Sequence, residues 1–321
     1  MTDFKDVYIL PQYSDVQSRN RVDTTSILDP EHSKTQIGVL VISANMDTVT
    51  NAEMALAMGE ARALGAVHRF MSIEDNIVEY SRLQGMHALM SVGVSGHAKE
   101  RFHALHSAGA RHFIIDIAHG HHHLMKGMLA FIRKNYHRSS VYVMAGNVAT
   151  PEGAAHLIEW GADAIKVGIG PGAACITKNV TGVTVPQFTA IQECAAVVEN
   201  FSESHDRQYV CVADGGVQEI GDIAKALGAG ADFVMCGRLF AGCPEAPHPG
   251  LYRGMASADA MRSVRTGDAM PTPEGKTMTV MTGPHVEEVV ETIAGGLRSA
   301  FSYSNSLNLK EFQARCKFGI K

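Results

Sequence analysis

The stretch VYVMAGNVATPEGAAHLIEWGADAIKVGIG (residues 141–170) decides the fold of this chain. It begins with an apolar run at 141–148 and ends with a second apolar run at 164–170. Runs that are apolar almost throughout are typical of parallel strands buried on both faces. Between the two runs, Thr150 is suited to a helix N-cap and Pro151 to the first helical position. The stretch therefore predicts a strand–helix–strand unit with parallel strands.

The same unit recurs along the chain. Six further apolar runs are VLVISANM (39–46), GAVHRF (65–70), HALMSVGV (87–94), HFIIDIAH (112–119), YVCVADGG (209–216) and DFVMCGRL (232–239). Helix-like segments lie between them, such as NAEMALAMGEARALG (51–65) and EIGDIAKALGAGA (219–231). Eight strand–helix units predict an α/β fold, a (β/α)₈ barrel that forms a single domain over residues 1–321. A doubly wound open sheet is the alternative, and it explains eight even repeats less well.

Composition limits the class of protein. The chain has 321 residues, of which 45% are hydrophobic and 19% charged, which is typical of a globular protein. A net charge of -5 without basic runs argues against a nucleic-acid or membrane-surface binder. The start, MTDFKDVYIL, lacks signal and transit patterns, and no apolar run reaches the roughly 18 residues of a membrane span. Six cysteines without a CxxC motif indicate neither disulfides nor a zinc knuckle, so we expect a reduced, soluble, cytoplasmic protein.

A barrel of this kind carries its active site in the loops that follow the C-terminal ends of the strands. The predicted strand ends carry polar residues and glycines: Asn45, His68, Arg69, Asp116, His119, Asn147, Asp214, Gly215, Gly216, Gly237 and Arg238. The glycines after the last two strands are suited to binding a phosphate through backbone N–H groups. The carboxylate of Asp214 either binds ribose hydroxyls or caps the next helix.

The loop after the sixth predicted strand, KVGIGPGAACITK (166–178), is rich in glycine and leads to Cys175. A cysteine at the mouth of a barrel, in a loop that lets a ligand approach the backbone, points to a nucleophile. The other five cysteines lie in predicted helices, strand interiors or late loops and are interpreted as small buried hydrophobes. The GIGPG string is not a dinucleotide fingerprint, because the residues after it do not open the required helix.

A run of histidines, HGHHH (119–123), is interpreted as a solvated loop. No HExxH motif and no neighbouring carboxylate cluster in the sequence completes a metal site there.

These motifs together resemble the inosine-monophosphate dehydrogenase/GMP reductase family over nearly the whole chain. The resemblance is carried by SANMDTV (43–49), DIAHGH (116–121), AGNVATPEGA (145–154), KVGIGPGAACITK (166–178), ADGGV (213–217) and GGLRSAFSY (295–303). The fold of that family is a (β/α)₈ barrel, which agrees with the unit count.

In two features, this chain resembles the reductases of the family more than the dehydrogenases. Only MSIEDNIVEYSRLQGM (71–86) stands where the dehydrogenases usually insert a pair of CBS domains. The predicted mobile flap, about 254–284, lacks the Arg-Tyr pair with which dehydrogenases activate water. The resemblance thus implies NADPH-dependent reductive deamination of GMP to IMP and ammonia. An IMP dehydrogenase without CBS domains, a related purine-nucleotide oxidoreductase and a non-catalytic nucleotide sensor are the alternatives.

The resemblance also implies catalytic roles. Cys175 adds to C2 of the purine, and the pair Thr177 and Glu274 protonates the departing ammonia. The implied substrate-binding residues are Asp214, Gly215, Gly216, Gly237, Arg238, Met255, Ala256, Ser257 and Gly275. The implied cofactor-binding residues are Arg69, Asp116, Ile117, Ala118, Asn147 and Lys178.

A monovalent-cation site and an assembly are implied as well. The carbonyls of Gly170, Gly172 and Cys175 match a loop that binds K⁺, and family members are homotetramers. The chain departs from the family pattern at two positions. Ala173 stands where a serine often contacts phosphate, and Pro271 stands where reductases often have an arginine.

Overall fold

Eight parallel strands close into a barrel, as the sequence predicts. The computed structural model describes residues 1–29, 33, 35–264 and 272–321. Numbered in chain order after β1 (Val7–Ile9), the barrel strands are β2 (Val41–Ser43), β3 (Leu64–Val67), β4 (Ala88–Val92), β5 (His112–Asp116), β6 (Tyr142–Val148), β7 (Ala164–Val167), β8 (Val210–Asp214) and β9 (Phe233–Cys236). Each strand pairs with the next one along the chain, and β9 pairs with β2. The open-sheet alternative is therefore wrong.

Helices surround the barrel and connect its strands. They are α1 (Ala52–Glu60), α2 (Ile73–Arg82), α3 (Ala98–Ser107), α4 (His123–Asn135), α5 (Pro151–Glu159), α6 (Thr177–Thr181), α7 (Gln187–His205), α8 (Ile220–Gly228), α9 (Ala258–Val264), α10 (Val286–Tyr303) and α11 (Leu309–Arg315). Helix α5 begins as predicted, because the Thr150 hydroxyl accepts the N–H of Gly153 at 3.2 Å and Pro151 is the first helical residue. None of the described helices is long and apolar enough to cross a membrane.

Two small antiparallel sheets lie outside the barrel. Strand β1 pairs with β12 (Phe318–Ile320), which joins the two ends of the chain. Strand β10 (Leu251–Arg253) pairs with β11 (Thr277–Thr279). This second sheet forms the base of the segment predicted as a flap. Pro271, which was singled out in the sequence, lies outside the described residues.

Buried apolar side chains pack on the faces of the barrel strands; Phe113, for example, lies against Phe102 of α3. Each barrel strand contributes at least one buried residue: Ile42, Leu64, Met90, Phe113, Met144, Ile165, Val212 and Phe233. This packing explains why the runs are apolar almost throughout, since one face of each strand meets the interior and the other meets helices. A charged residue, Lys166 of β7, is buried among them and belongs to the site described next.

Candidate active site

The glycine-rich loop after β7 brings Cys175 to the mouth of the barrel. Gly168 has φ +148, and a Cβ on it would lie 2.0 Å from the Asp214 carbonyl oxygen, so only glycine fits. Farther along, the N–H of Cys175 donates to the Gly172 carbonyl at 2.9 Å. The half-buried Cys175 thiol donates to the Thr177 hydroxyl, with 3.2 Å between sulfur and oxygen. A thiol and a hydroxyl two residues apart therefore meet in space.

Glu274 is held beside this pair by its backbone. Its carbonyl accepts the N–H of Ile176 at 2.8 Å, and its own N–H donates to the Ala256 carbonyl at 3.0 Å. The next residue, Gly275, forms bridges to both Cys175 and Ser257. Glu274 itself lies outside the regular strands, in the segment that the sequence predicts to be a mobile flap. The structure thus brings Cys175, Thr177 and Glu274 together.

Close backbone packing makes this arrangement possible. A Cβ on Gly254 would lie 2.8 Å from the Ala174 carbonyl oxygen, and one on Gly275 would lie 2.8 Å from the Ser257 nitrogen. Glycine at both positions lets the Cys175 loop, the segment that carries Glu274 and the 254–257 loop come into contact. Met255 lies in that last loop, where its sulfur accepts the N–H of Asp47 at 3.5 Å.

Of the other five cysteines, four are buried, as predicted, and Cys316 is half-buried. Cys194 lies in α7, Cys211 and Cys236 lie in barrel strands, and Cys243 and Cys316 lie in or after late loops. Burial raises the pKa of Cys194, Cys243 and Cys316 to about 12, and it raises the pKa of the two strand thiols as well. A thiol with so high a pKa is not a nucleophile at neutral pH.

A buried lysine joins two of the implied binding residues. The Lys166 Nζ lies 2.5 Å from an Asp214 carboxylate oxygen and 3.2 Å from one of Asp116. Burial opposes the charge of Lys166, but the carboxylates of Asp214 and Asp116 outweigh it and raise the pKa of the ammonium. In the same way, burial would raise the pKa of Asp116, but Lys166 and then Arg69 outweigh burial and lower it. Lys166 and Asp116 are therefore both charged at neutral pH.

Sequence reasoning missed Lys166. Its signal was a single charged residue within the apolar run AIKVGIG (164–170), where an unpaired ammonium would be costly. Its two partners lie 50 and 48 positions away, and only closure of the barrel brings them to it.

Two buried polar atoms near this lysine have no hydrogen-bond partner among the described residues: Asn147 Oδ1 and Arg69 Nε. The amide nitrogen of Asn147 already donates to Asp214 at 2.9 Å and to the Gly168 carbonyl at 2.7 Å, which fixes the amide. Arg69 Nε lies 4.0 Å from Asp116, and its guanidinium stacks on the Phe70 ring. Buried polar atoms are normally satisfied, so this rim is suited to a polar ligand. Lys178, by contrast, is exposed on α6.

The loops after β8 and β9 form the opposite part of the mouth. Gly215 and Gly216 have φ of +89 and +83, and Arg238 is exposed beyond β9. A Cβ on Gly237 would lie 2.9 Å from the hydroxyl oxygen of Tyr252, a buried residue that the sequence reasoning did not single out. Burial, and after it the charge of Asp214, raises the pKa of Tyr252, so its hydroxyl stays protonated.

We expect Lys166→Met to destabilise the protein. Methionine has a similar shape, but it leaves Asp116 and Asp214 facing each other without their shared cation. Because both carboxylates are partly accessible to water, the expected loss is about 1–3 kcal/mol in the free energy of unfolding, measured by urea denaturation. Lys134→Met, at an exposed position of α4, is the control and should unfold like the wild type. Equal stability of both variants would contradict a structural role for the Lys166 ammonium.

Comparison with known proteins agrees with this arrangement. A family model described as IMP dehydrogenase / GMP reductase domain matches residues 1–320. The chain is 36% identical to GMP reductase 2 of Homo sapiens over an alignment of 335 positions, which covers 98% of this chain and 93% of that protein. It is 34% identical to the GMP reductase of Onchocerca volvulus over an alignment of 334 positions, which covers 98% of this chain and 90% of that protein.

A solved structure shares the architecture. The crystal structure of a GMP reductase variant from Trypanosoma brucei in complex with guanosine 5′-monophosphate superposes with a TM-score of 0.88 at 26% sequence identity. The match covers 100% of this chain and 95% of the other.

Proposed function

The chain belongs to the IMP dehydrogenase/GMP reductase family, and on that premise we propose that it is an oxidoreductase that converts GMP to IMP and ammonia, with NADPH as the reductant. The observation that carries the proposal is the contact of the Cys175 thiol with the Thr177 hydroxyl, beside the backbone of Glu274. A nucleophile with a proton-transfer group next to it is what covalent substitution at a purine carbon requires.

The residues divide the reaction into two steps. In the first, the sulfur of Cys175 bonds to C2 of the purine, and the C2–N bond breaks as ammonia leaves. Thr177 and Glu274 hold the proton that the departing nitrogen takes up. In the second, a hydride adds to C2, the C–S bond breaks, and the thiolate and IMP are released. NADPH supplies that hydride when it is bound.

Binding roles follow from position at the mouth. Asp214, oriented by Lys166 and Asn147, is suited to accept hydrogen bonds from ribose hydroxyls. We assign the phosphate to the backbone of Gly215, Gly216 and Gly237 with the exposed Arg238. We assign the base to the loop that comprises Met255, Ala256, Ser257 and Gly275, since it packs directly on the Cys175 loop.

The rim between β3, β5 and β6 is suited to the cofactor. Asn147 Oδ1 and Arg69 Nε are buried atoms without a protein partner, and a carboxamide or hydroxyl group would satisfy them. We therefore assign the reactive part of NADPH to Arg69, Asp116, Ile117, Ala118 and Asn147. The positive charge of the exposed Lys178 favours the extra phosphate of NADPH over NADH.

The loop also has features of a K⁺ site. The carbonyl oxygens of Gly170, Gly172 and Cys175 are the hard ligands that K⁺ takes. Gly170 has φ +86, and a Cβ on it would lie 2.9 Å from the Thr184 hydroxyl oxygen. Only glycine therefore fits at this position of the loop. K⁺ bound there would hold the Cys175 loop in place.

We also propose a homotetramer in the cytoplasm. Exposed apolar side chains gather where β1 pairs with β12 and the chain passes the end of α10: Tyr8, Leu10, Tyr13, Tyr303 and Ile320. Such a patch supports association between copies of the chain. The free state of all six cysteines agrees with a reducing compartment.

Two incubations test the proposed function. With GMP and NADPH, we expect NADPH absorbance to fall while an equal amount of ammonia appears. With IMP and NAD⁺, we expect no steady formation of NADH. The opposite pattern would favour an IMP dehydrogenase, and binding of GMP without turnover would favour a nucleotide sensor. Equal efficiency with NADH and NADPH would contradict only the choice of NADPH as the cofactor and would leave the proposed reaction standing.

A further inference from the structure

Two histidines and a glutamate meet on the barrel rim without a part in the proposed reaction. His121, in the loop after β5, has its Nε2 2.7 Å from Nδ1 of His156 on α5. Together with Glu152, these side chains place one ligand atom each within 4.8 Å of one another. His121 and His156 are half-buried and Glu152 is exposed, so the cluster opens to solvent on one side.

The backbone fixes both parts of this cluster. Glu152 and His156 lie four residues apart on α5 and therefore on the same face of the helix, whose start the Thr150 hydroxyl caps. The loop that carries His121 is tied to the end of β6, because Gly120 N–H donates to the Asn147 carbonyl at 2.7 Å. The three side chains are thus brought together by well-anchored elements of the fold.

The donor set suits a transition metal. Two imidazoles and one carboxylate, with a further position open to water, form a well-known ligand set for Zn²⁺. Two nitrogens bound to one tetrahedral zinc at about 2.0–2.1 Å lie about 3.3 Å apart, so the histidines need to separate by about half an ångström. The ring of Trp160 stacks on His156 with 5.5 Å between centroids and holds it in orientation. The carboxylate of Glu152 supplies negative charge at the open side.

We propose that His121, Glu152 and His156 form a binding site for a divalent transition metal ion of the zinc class. The bound ion joins the loop after β5 to helix α5 behind β6. That loop follows directly on Asp116, so the ion also fixes the rim that we assign to the cofactor. From the sequence, the histidines at 119–123 are interpreted as a solvated loop, because the carboxylate and the additional histidine of the proposed site come from another unit of the barrel.

The test is metal binding by the full chain prepared without an affinity tag and stripped with a chelator. Zn²⁺ is titrated calorimetrically, and Co²⁺ is used as a spectroscopic probe of the nitrogen and oxygen ligands. We expect one Zn²⁺ per chain, a raised thermal unfolding temperature in the presence of the metal, and affinity at least about 100-fold weaker in His156→Ala. Glu152→Gln keeps the shape of the side chain, removes its charge and should also weaken binding.

His123→Ala is the matched control, since it removes an exposed histidine of the same run outside the cluster. It should bind Zn²⁺ like the wild type. Circular dichroism of the metal-free variants checks that each is folded. If His123→Ala loses binding and His156→Ala retains it, the histidine run alone binds the metal and the proposal is wrong. Absence of binding at micromolar Zn²⁺ in the folded wild type would overturn it as well.

Discussion

The variant Cys175→Ala is expected to bind GMP normally and to show no detectable NADPH oxidation, a loss of at least about 10⁴-fold in turnover. Alanine removes the sulfur that we propose to bond to C2 of the purine, while the backbone contacts of the loop to Gly172 and Gly275 are kept. Steady-state absorbance measures turnover, and mass spectrometry of the denatured protein detects a covalent adduct. We expect the adduct in the wild type and not in Cys175→Ala.

The other cysteines supply the controls for this variant. Cys316 is half-buried near the C-terminus, and Cys243 is buried in the loop after β9. Burial raises the pKa of both to about 12, so neither is expected to act as a nucleophile. Cys316→Ala and Cys243→Ala should therefore retain the turnover and the adduct. Near-normal turnover of Cys175→Ala would remove the covalent mechanism outright.

The variant Glu274→Gln is expected to separate the two half-reactions. Glutamine keeps the size of the side chain and the backbone bonds to Ile176 and Ala256, but it cannot supply a proton. Reduction of GMP should fall by about 10²–10⁴-fold, the range typical of a general acid. The reverse hydride step, from IMP and NADP⁺ to the covalent intermediate, needs no such proton and should stay close to the wild-type rate in a single turnover.

Two further variants make this result decisive. Thr177→Val removes the hydroxyl that accepts a hydrogen bond from the Cys175 thiol. It should also slow GMP reduction more than the hydride step. Glu287→Gln changes an exposed glutamate in the first turn of α10 and should leave both steps unchanged. If both half-reactions of Glu274→Gln fall together, Glu274 positions the substrate or the segment around it, and the proton comes from another group.

The strands and helices of this protein are determined by local patterns in its sequence. Eight apolar runs gave the eight barrel strands, and Thr150 with Pro151 marked the start of α5, because burial and helix capping depend on residues close together in the chain. The nearness of Cys175 to Thr177 is local in the same sense, since only one residue lies between them in the chain. The resemblance to the family added Glu274, which no local pattern connects with that loop.

The contacts between units were decided only by the tertiary structure. Lys166 appeared as an isolated charge in an apolar run until closure of the barrel placed Asp116 and Asp214 against it. His121 appeared as a solvated loop histidine until the β5 loop and α5 brought His156 to it. Periodicity records only whether a side chain is buried. Its partner depends on the register and closure of strands that lie far apart in the chain, and these arise from the packing of the whole barrel.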